Sequence, residues 1–366
     1  MSGSPSPDAA GERRRRLRRG LEGEELDGLL ISHPPNLFYL CGFTGSAGLL
    51  LLRGDTSLLV VDGRYAEQAA DEVDDAVSVR EADDGAVAAL GEALARGGPT
   101  PRVGFEAAHV TVAGRARLEE EADRAEWRGT EGRVEELRAR KDAGEVARLE
   151  RAVRAAERSW RGLLVVLEEG MSEREAVAEM DYRLRRRGTG PPAFDTIVAF
   201  GERTARPHAR PGGRRLREGD LVLVDAGATV EAYRSDMTRM AVAGAAEDWQ
   251  RELHGAVDGA RAAAVAAVAG GRSAREVDAA ARERLAGHGW AEAFPHSTGH
   301  GLGLEVHEEP SLSSRSDEIL REGNVVTIEP GVYLRGRGGI RLEDDVLVEG
   351  DAGRLLTTAD RGLAEL

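Results

Sequence analysis

The sequence predicts an α+β protein of two domains, a smaller α/β domain followed by a larger one that carries the chemistry. Three observations lead there. Strand-like and helix-like segments alternate from Leu29 to about residue 130. A long, charged, Ala-rich helical stretch at 137–167 then breaks that rhythm, with Val146, Leu149, Val153 and Ala156 at helical spacing. Beyond it, strands follow one another closely enough for antiparallel hairpins. With 366 residues, 41% of them hydrophobic, the chain has material for a sizeable core, which excludes wholesale disorder.

Taken in order, residues 1–20 are rich in Ser, Pro, Gly and Arg and read as a disordered, solvated tail. The first domain is expected at 21–134 and the second at 135–366. In the first, 36–40, 49–52, 57–61, 77–80 and 102–105 read as strands, and 65–73, 86–95 and 113–125 as helices. In the second, Ser172 with Glu175 three residues on fits a capping box. The strands are expected at 196–200, 221–226, 228–233, 237–242, 325–328, 332–334 and 345–348, and two more helices at 256–268 and 274–287. No internal repeat is visible.

Charge narrows the partners. Asp plus Glu number 65 against 50 Lys plus Arg, a formal net charge of -15, opposite to what a DNA-backbone binder carries. Lys141 is the sole lysine, which fits both a salt-adapted surface and a GC-rich genome. The single cysteine, Cys41, excludes an intrachain disulfide and a multi-Cys zinc site. Apolar runs such as 262–269 are far below a membrane span, and Arg13 to Arg16 lack the apolar stretch of a signal peptide. The expectation is a soluble, cytoplasmic protein with neither nucleic acid nor membrane as partner.

The chemistry collects at the ends of apolar segments. Leu221-Val222-Leu223-Val224-Asp225-Ala226-Gly227 closes a strand on a carboxylate, and Asp236 follows in Ser235-Asp236-Met237-Thr238-Arg239. A hairpin would aim both acids at one point. Either they are solvated turn residues, or they are buried together and need a proton or cation to neutralise them. Three of the eight histidines, His296, His300 and His307, fall within twelve residues among glycines. Imidazole is both the commonest metal ligand and a general acid/base. Glu329 ends the strand before Pro330-Gly331, and Glu343 follows Arg341 in Gly339-Ile340-Arg341-Leu342-Glu343-Asp344-Asp345. One imidazole and four carboxylates, His300 with Asp225, Asp236, Glu329 and Glu343, form a hard, oxygen-rich set. It suits Mn²⁺, Co²⁺, Fe²⁺ or Zn²⁺ at a paired site that would lower the pKa of a bridging water.

These motifs, VDAG, SDMTR, HSTGHGLGLEVHE, TIEPG and GIRLEDD, resemble those of the creatinase-type "pita-bread" metallopeptidases. The nearest resemblance is to the Xaa-Pro aminopeptidases and Xaa-Pro dipeptidases (prolidases). NLFYLCGFTGSAG, VVDGRY and RVGFE resemble the family's N-terminal domain. The resemblance implies a creatinase-like N-terminal domain and a pita-bread catalytic domain that hydrolyses the bond between an N-terminal residue and a following proline through a metal-bridging hydroxide. Two divalent ions are implied, Mn first and Co, Zn or Fe as alternatives. Asp225 would chelate one metal, Asp236 and Glu343 would bridge both, and His300 and Glu329 would complete the second. Glu329 would also shuttle the proton. His208 and His307 would contact substrate and stabilise the tetrahedral intermediate, with His296 and Arg341 in substrate-contacting or supporting positions. A homodimer acting on small peptides with proline second is implied as well. A methionine aminopeptidase-like enzyme and an inactive peptide-binding relative are the alternatives; the N-terminal domain and the full ligand set favour the Xaa-Pro branch.

Overall fold

The computed structural model describes residues 5–82, 85–95 and 100–366. The chain divides into two units, Met1–Arg138 and Ala139–Leu366. Among the described residues the first unit holds one mixed sheet. Its spatial order is Ser78–Glu81, Thr56–Val61, Leu49–Arg53, Gly28–Ile31, Arg102–Glu106, Glu126–Thr130. Gly28–Ile31 runs antiparallel to Leu49–Arg53 and parallel to Arg102–Glu106. Leu30, Leu51, Val103, Phe105 and Trp127 pack there against Leu90, Leu94 and Leu118 from the covering helices.

Two expectations for this unit are corrected. The supposed disordered tail is a helix from residue 7, Pro7–Leu21. Leu17 and Leu21 are buried on it, and so are Arg13 and Arg14. Arg14 reaches Leu40 O at 2.7 Å and both oxygens of Asp74 at 2.8 Å, while Arg13 stacks 4.0 Å over the Tyr39 ring. Given a carboxylate, a carbonyl and a ring face, two arginines of the run pack, while Arg15 and Arg16 stay exposed. Residues 36–40, expected as a strand, lie in helix Pro34–Cys41. Its Pro-Pro start fits the first helical turn and Gly42 closes it at φ 79°. Burial of every residue from Asn36 to Cys41 hides the helical period.

In the second unit the strand Leu221–Asp225 is buried along its whole length. Leu221 and Leu223 pack with Leu253, Val257 and Val277, from helices Asp248–Ala267 and Ala274–Ala286. Val222 and Val224 face the other way, onto Ala156, Trp160 and Met180, from helices Ala143–Leu164 and Glu173–Arg187. A strand apolar on both faces is the mark of a sheet covered on both sides. That sheet has the order Ala364–Glu365, Thr238–Val242, Leu221–Asp225, Ile197–Phe200. A second sheet is ordered Glu308–Leu312, Gly299–Gly301, Val325–Ile328, Asp344–Glu349, Ala352–Leu355. Residues 228–233, expected as one strand, form a tight hairpin of Thr229–Val230 and Tyr233–Arg234 that turns through Glu231 and Ala232 at φ 49° and 70°.

The helices show a repeat that reading by periodicity misses. Gly170-Met171-Ser172-Glu173-Arg174-Glu175 and Gly271-Arg272-Ser273-Ala274-Arg275-Glu276 share the pattern G-x-S-x-R-E. Each forms a capping box at the start of the second helix of a pair. Each glycine takes positive φ, 89° and 83°, where a side chain would be strained. Among the described residues no helix is long and apolar enough to cross a membrane.

Behind the second sheet, Arg239, Arg261 and Arg361 converge on the fully buried Asp344 at 2.8, 2.9 and 2.7 Å. Asp344→Ala leaves these guanidiniums facing each other with their shared partner gone. The expected loss is about 3–5 kcal/mol, read as a lower urea midpoint with unchanged slope. A midpoint equal to wild type would show that the carboxylate is not what holds the three together.

Candidate metal centre

Strand pairing delivers the acids. Thr238–Val242 pairs antiparallel with Leu221–Asp225, with Thr238 opposite Asp225. The ladder continues through Ala226 N to Met237 O at 3.1 Å and Ser235 N to Ala228 O at 3.0 Å, which sets Asp236 beside Asp225. Gly227 makes this approach possible, since a Cβ there would overlap the Ser235 carbonyl. In the second sheet Ile328 pairs with Asp344, so Glu329 and Glu343 leave the same strand ends. Glu343 N donates to Thr238 O at 3.3 Å and ties this end to the first sheet. His300 comes from Gly299–Gly301, where a Cβ on Gly299 would overlap the Thr327 carbonyl.

The expected ligand residues are therefore brought together. One oxygen or nitrogen from each of Asp236, His300 and Glu343 lies within 4.8 Å of the others. His300 Nε2 is 3.4 Å from Glu329 Oε1 and 3.9 Å from Asp236 Oδ2. The charge of Asp225 acts on Asp236, Glu329 and Glu343, and its Oδ2 accepts from Arg341 Nη2 at 2.6 Å. Asp225, Asp236 and Glu343 are 8%, 5% and 1% exposed.

The electrostatics call for a cation. Oδ1 of Asp225, Oδ1 of Asp236 and Oε1 of Glu343 are buried with no hydrogen-bond partner. Loss of hydration and mutual repulsion push Asp236 and Glu343 well above the usual carboxylate range. Burial pushes Glu329 to about 8, against the opposing pull of Arg341. His300 is held down to about 4 by burial, so its imidazole is neutral. Its Nδ1 lies 3.0 Å from Gly301 O and carries the proton, which leaves the Nε2 lone pair facing the carboxylates. Unpartnered anionic oxygens around a neutral imidazole lone pair fit divalent cations.

The other expected residues line this cluster. The His307 ring is 4.3 Å from that of His300, and His307 is solvent-exposed. Arg341 is buried and donates from Nε to Thr238 Oγ1 at 3.0 Å, which in turn donates to Glu343 Oε2 at 2.7 Å. His296, held down to about 4 by burial, is linked through Nε2 to Tyr333 Oη at 2.9 Å, and Tyr333 accepts from Arg341 Nη1 at the same distance. His208 stands exposed beside this group, next to Pro207, whose carbonyl accepts from Arg341 Nη1 at 3.2 Å.

Three residues escape sequence reading. Tyr333 joins His296 to Arg341, Thr238 joins Arg341 to Glu343, and Asp345 Oδ2 accepts from Asp236 N at 3.2 Å. The signal for Asp345 was the acid run itself. Its three members point to different places: Glu343 into the cluster, Asp344 to the arginines, Asp345 to the Asp236 backbone.

Comparison with known proteins agrees with this geometry. Residues 147–350 match the model of metallopeptidase family M24, and residues 13–140 that of the creatinase/prolidase N-terminal domain. The chain belongs to metallopeptidase family M24. It is 37% identical to the Bacillus subtilis (strain 168) peptidase YqhT, over 92% of this chain and 95% of the relative. Among solved structures it resembles a Xaa-Pro dipeptidase from Bacillus anthracis, with TM-score 0.94, 34% identity and coverage of 98% and 100% of the two chains. An X-Pro aminopeptidase from Thermotoga maritima MSB8 gives TM-score 0.90 at 34% identity, covering 96% and 100%. The fold is thus the pita-bread metallopeptidase fold behind a creatinase-type N-terminal domain, as expected.

A pH signature follows. Glu329 has a folded-state pKa of about 8 against an ordinary 4.5, so the native metal-free protein holds a proton that the unfolded chain has released. Stability of the metal-stripped protein therefore falls as pH rises from 6.5 to 8. The histidines held down to about 4 oppose this trend near pH 6.5, where the unfolded chain's imidazoles still bind protons, and fade above it, while the raised acids Asp236 and Glu343 act with Glu329. Thermal unfolding of the stripped protein should show a lower Tm at pH 8 than at pH 6.5, and divalent cation should restore it. A Tm that rises over this interval without metal would contradict the burial of the acids as described.

Proposed function

We propose that this metallopeptidase hydrolyses the bond between an N-terminal residue and a following proline, with two divalent cations held by Asp225, Asp236, His300, Glu329 and Glu343. The observation that carries the proposal is the set of buried, partnerless oxygens on Asp225, Asp236 and Glu343. Manganese is the first choice for so oxygen-rich a site, with cobalt, zinc and iron as alternatives. When bound, such a pair supplies Lewis acidity and makes hydroxide available near neutral pH.

The chain's own groups do the rest. Glu329 takes a proton from attacking water and passes it to the proline nitrogen as the amide breaks. One water is consumed, giving a carboxylate on the first residue and a secondary amine on proline. His307, exposed at the mouth of the cluster, donates to the oxygen on which negative charge develops. Arg341 fixes Asp225 and, through Thr238, Glu343. His208 and His296 border the substrate side. The relatives' names divide between dipeptidase and aminopeptidase, and both activities fit this site. A cytoplasmic homodimer completes the proposal.

Hydrolysis of Ala-Pro and Ala-Pro-Ala by metal-stripped protein resupplied with Mn²⁺, Co²⁺ or Zn²⁺ tests it. Release of alanine from both defines an aminopeptidase, and from the dipeptide alone a dipeptidase. Turnover of neither, with metal bound, contradicts the proposal. Asp236→Ala should abolish metal occupancy and turnover together, and full activity in that variant would remove the two-metal site. His307→Ala should slow turnover about 100-fold with metal retained; unchanged kinetics would remove its role.

A further inference from the structure

Of 50 Lys plus Arg, only Lys141 is a lysine. It is not a surface residue. Its side chain is 1% exposed, and Nζ lies 2.9 Å from Oε2 of Glu308, itself 6% exposed. Nζ also donates to Ala139 O at 3.4 Å. The backbone beneath it is pinned. Lys141 N donates to Gly323 O at 2.7 Å, and Asn324 Nδ2 donates to Ala139 O at 2.8 Å. A Cβ on Gly323 would stand 2.9 Å from Lys141 O. The ammonium thus reaches Glu308 from a fixed strap of chain.

Glu308 in turn closes the loop that precedes it. Its Oε1 accepts from Glu305 N at 3.1 Å. Gly303 leaves the space the carboxylate fills, since a Cβ there would come within 2.6 Å of Oε2. Gly303 N donates to Glu305 O at 3.0 Å, and its carbonyl accepts from Arg234 N at 2.9 Å. His307 hangs on this closed loop between buried Val306 and Glu308.

We infer that Lys141 is a positioning residue for His307, acting through the Glu308 carboxylate; this rests on the role given to His307 above. Desolvating two charges offsets most of their attraction, so such a buried pair fixes geometry more than it adds stability. Arginine, the chain's cation everywhere else, is the wrong shape here. A planar guanidinium would have to enter the space of a compact ammonium between Ala139 O and Glu308. The loop would shift, and the imidazole with it.

The test is a double-mutant cycle on manganese-loaded enzyme with Ala-Pro and Ala-Pro-Ala. K141M and K141R should each lower kcat about 10- to 100-fold at nearly unchanged KM, with metal retained. In the H307A background the same substitutions should change kcat less than about twofold, because both act through one group. Equal losses in the two backgrounds, or an unchanged kcat, overturn the inference. E308Q keeps the side chain's volume and an acceptor for Glu305; it should reproduce part of the loss and serves if the Lys141 variants do not fold. A second readout needs no turnover. In protein with isotope-labelled histidine, the His307 ring signal, assigned by its absence in H307A, should move in K141M and E308Q while those of His33 and His109 stay. A His307 signal that does not move overturns the inference. A wild type inactive on both peptides would refute the proposed function, and the ring signal would still decide the role of Lys141.

Discussion

Carboxylates crowded at one buried point repel each other and lose their hydration, and the catalytic unit is organised around that cost. A chain left to minimise free energy would spread Asp225, Asp236, Glu329 and Glu343 into water. Here covered strands end together and hold them in place. Arg341 answers for one oxygen of Asp225, while Arg239 is turned away to Asp344. Oδ1 of Asp225, Oδ1 of Asp236 and Oε1 of Glu343 have no donor to accept from, so either protons or cations must take up the charge. Raised carboxylate pKa values and unpartnered oxygens are two expressions of this one fact.

The scaffold has to be stiff for this to persist. Leu221–Asp225 is packed on both faces, and its partner strand carries Arg239 into the buried cluster around Asp344. Thr238 and Glu343 join the strand ends of the two sheets through one backbone and one side-chain hydrogen bond. Glycines at 227 and 299 admit carbonyls where a side chain would collide. Neutral imidazoles complete the arrangement. Burial strips the proton from His300, and the Gly301 carbonyl selects which nitrogen keeps the other.

Much of this could be read from residues alone, for identifiable reasons. Asp225 and Glu329 stand out because acids that end apolar strands have no packing purpose, and His300 because it lies among glycines. The strands around them alternate or run apolar as covered sheets require. What stayed hidden depends on partners distant in sequence. Arg13 and Arg14 look like a solvated run until Tyr39, Leu40 and Asp74 arrive. Helix Pro34–Cys41 is buried along most of its length and so shows no helical period. Tyr333 and Thr238 carry no motif of their own; only the fold sets them between Arg341 and its neighbours. Asp345 is indistinguishable from Asp344 until one meets arginines and the other a backbone amide.

The central claim is that cations fill the gap among these acids. Anomalous X-ray scattering from crystals of the whole chain grown with Mn²⁺ tests it most directly. Two peaks are expected, each within coordinating distance of Asp236 and Glu343 oxygens, with His300 Nε2 turned to one of them. No peak at the cluster, or manganese bound only elsewhere on the acidic surface, would contradict it.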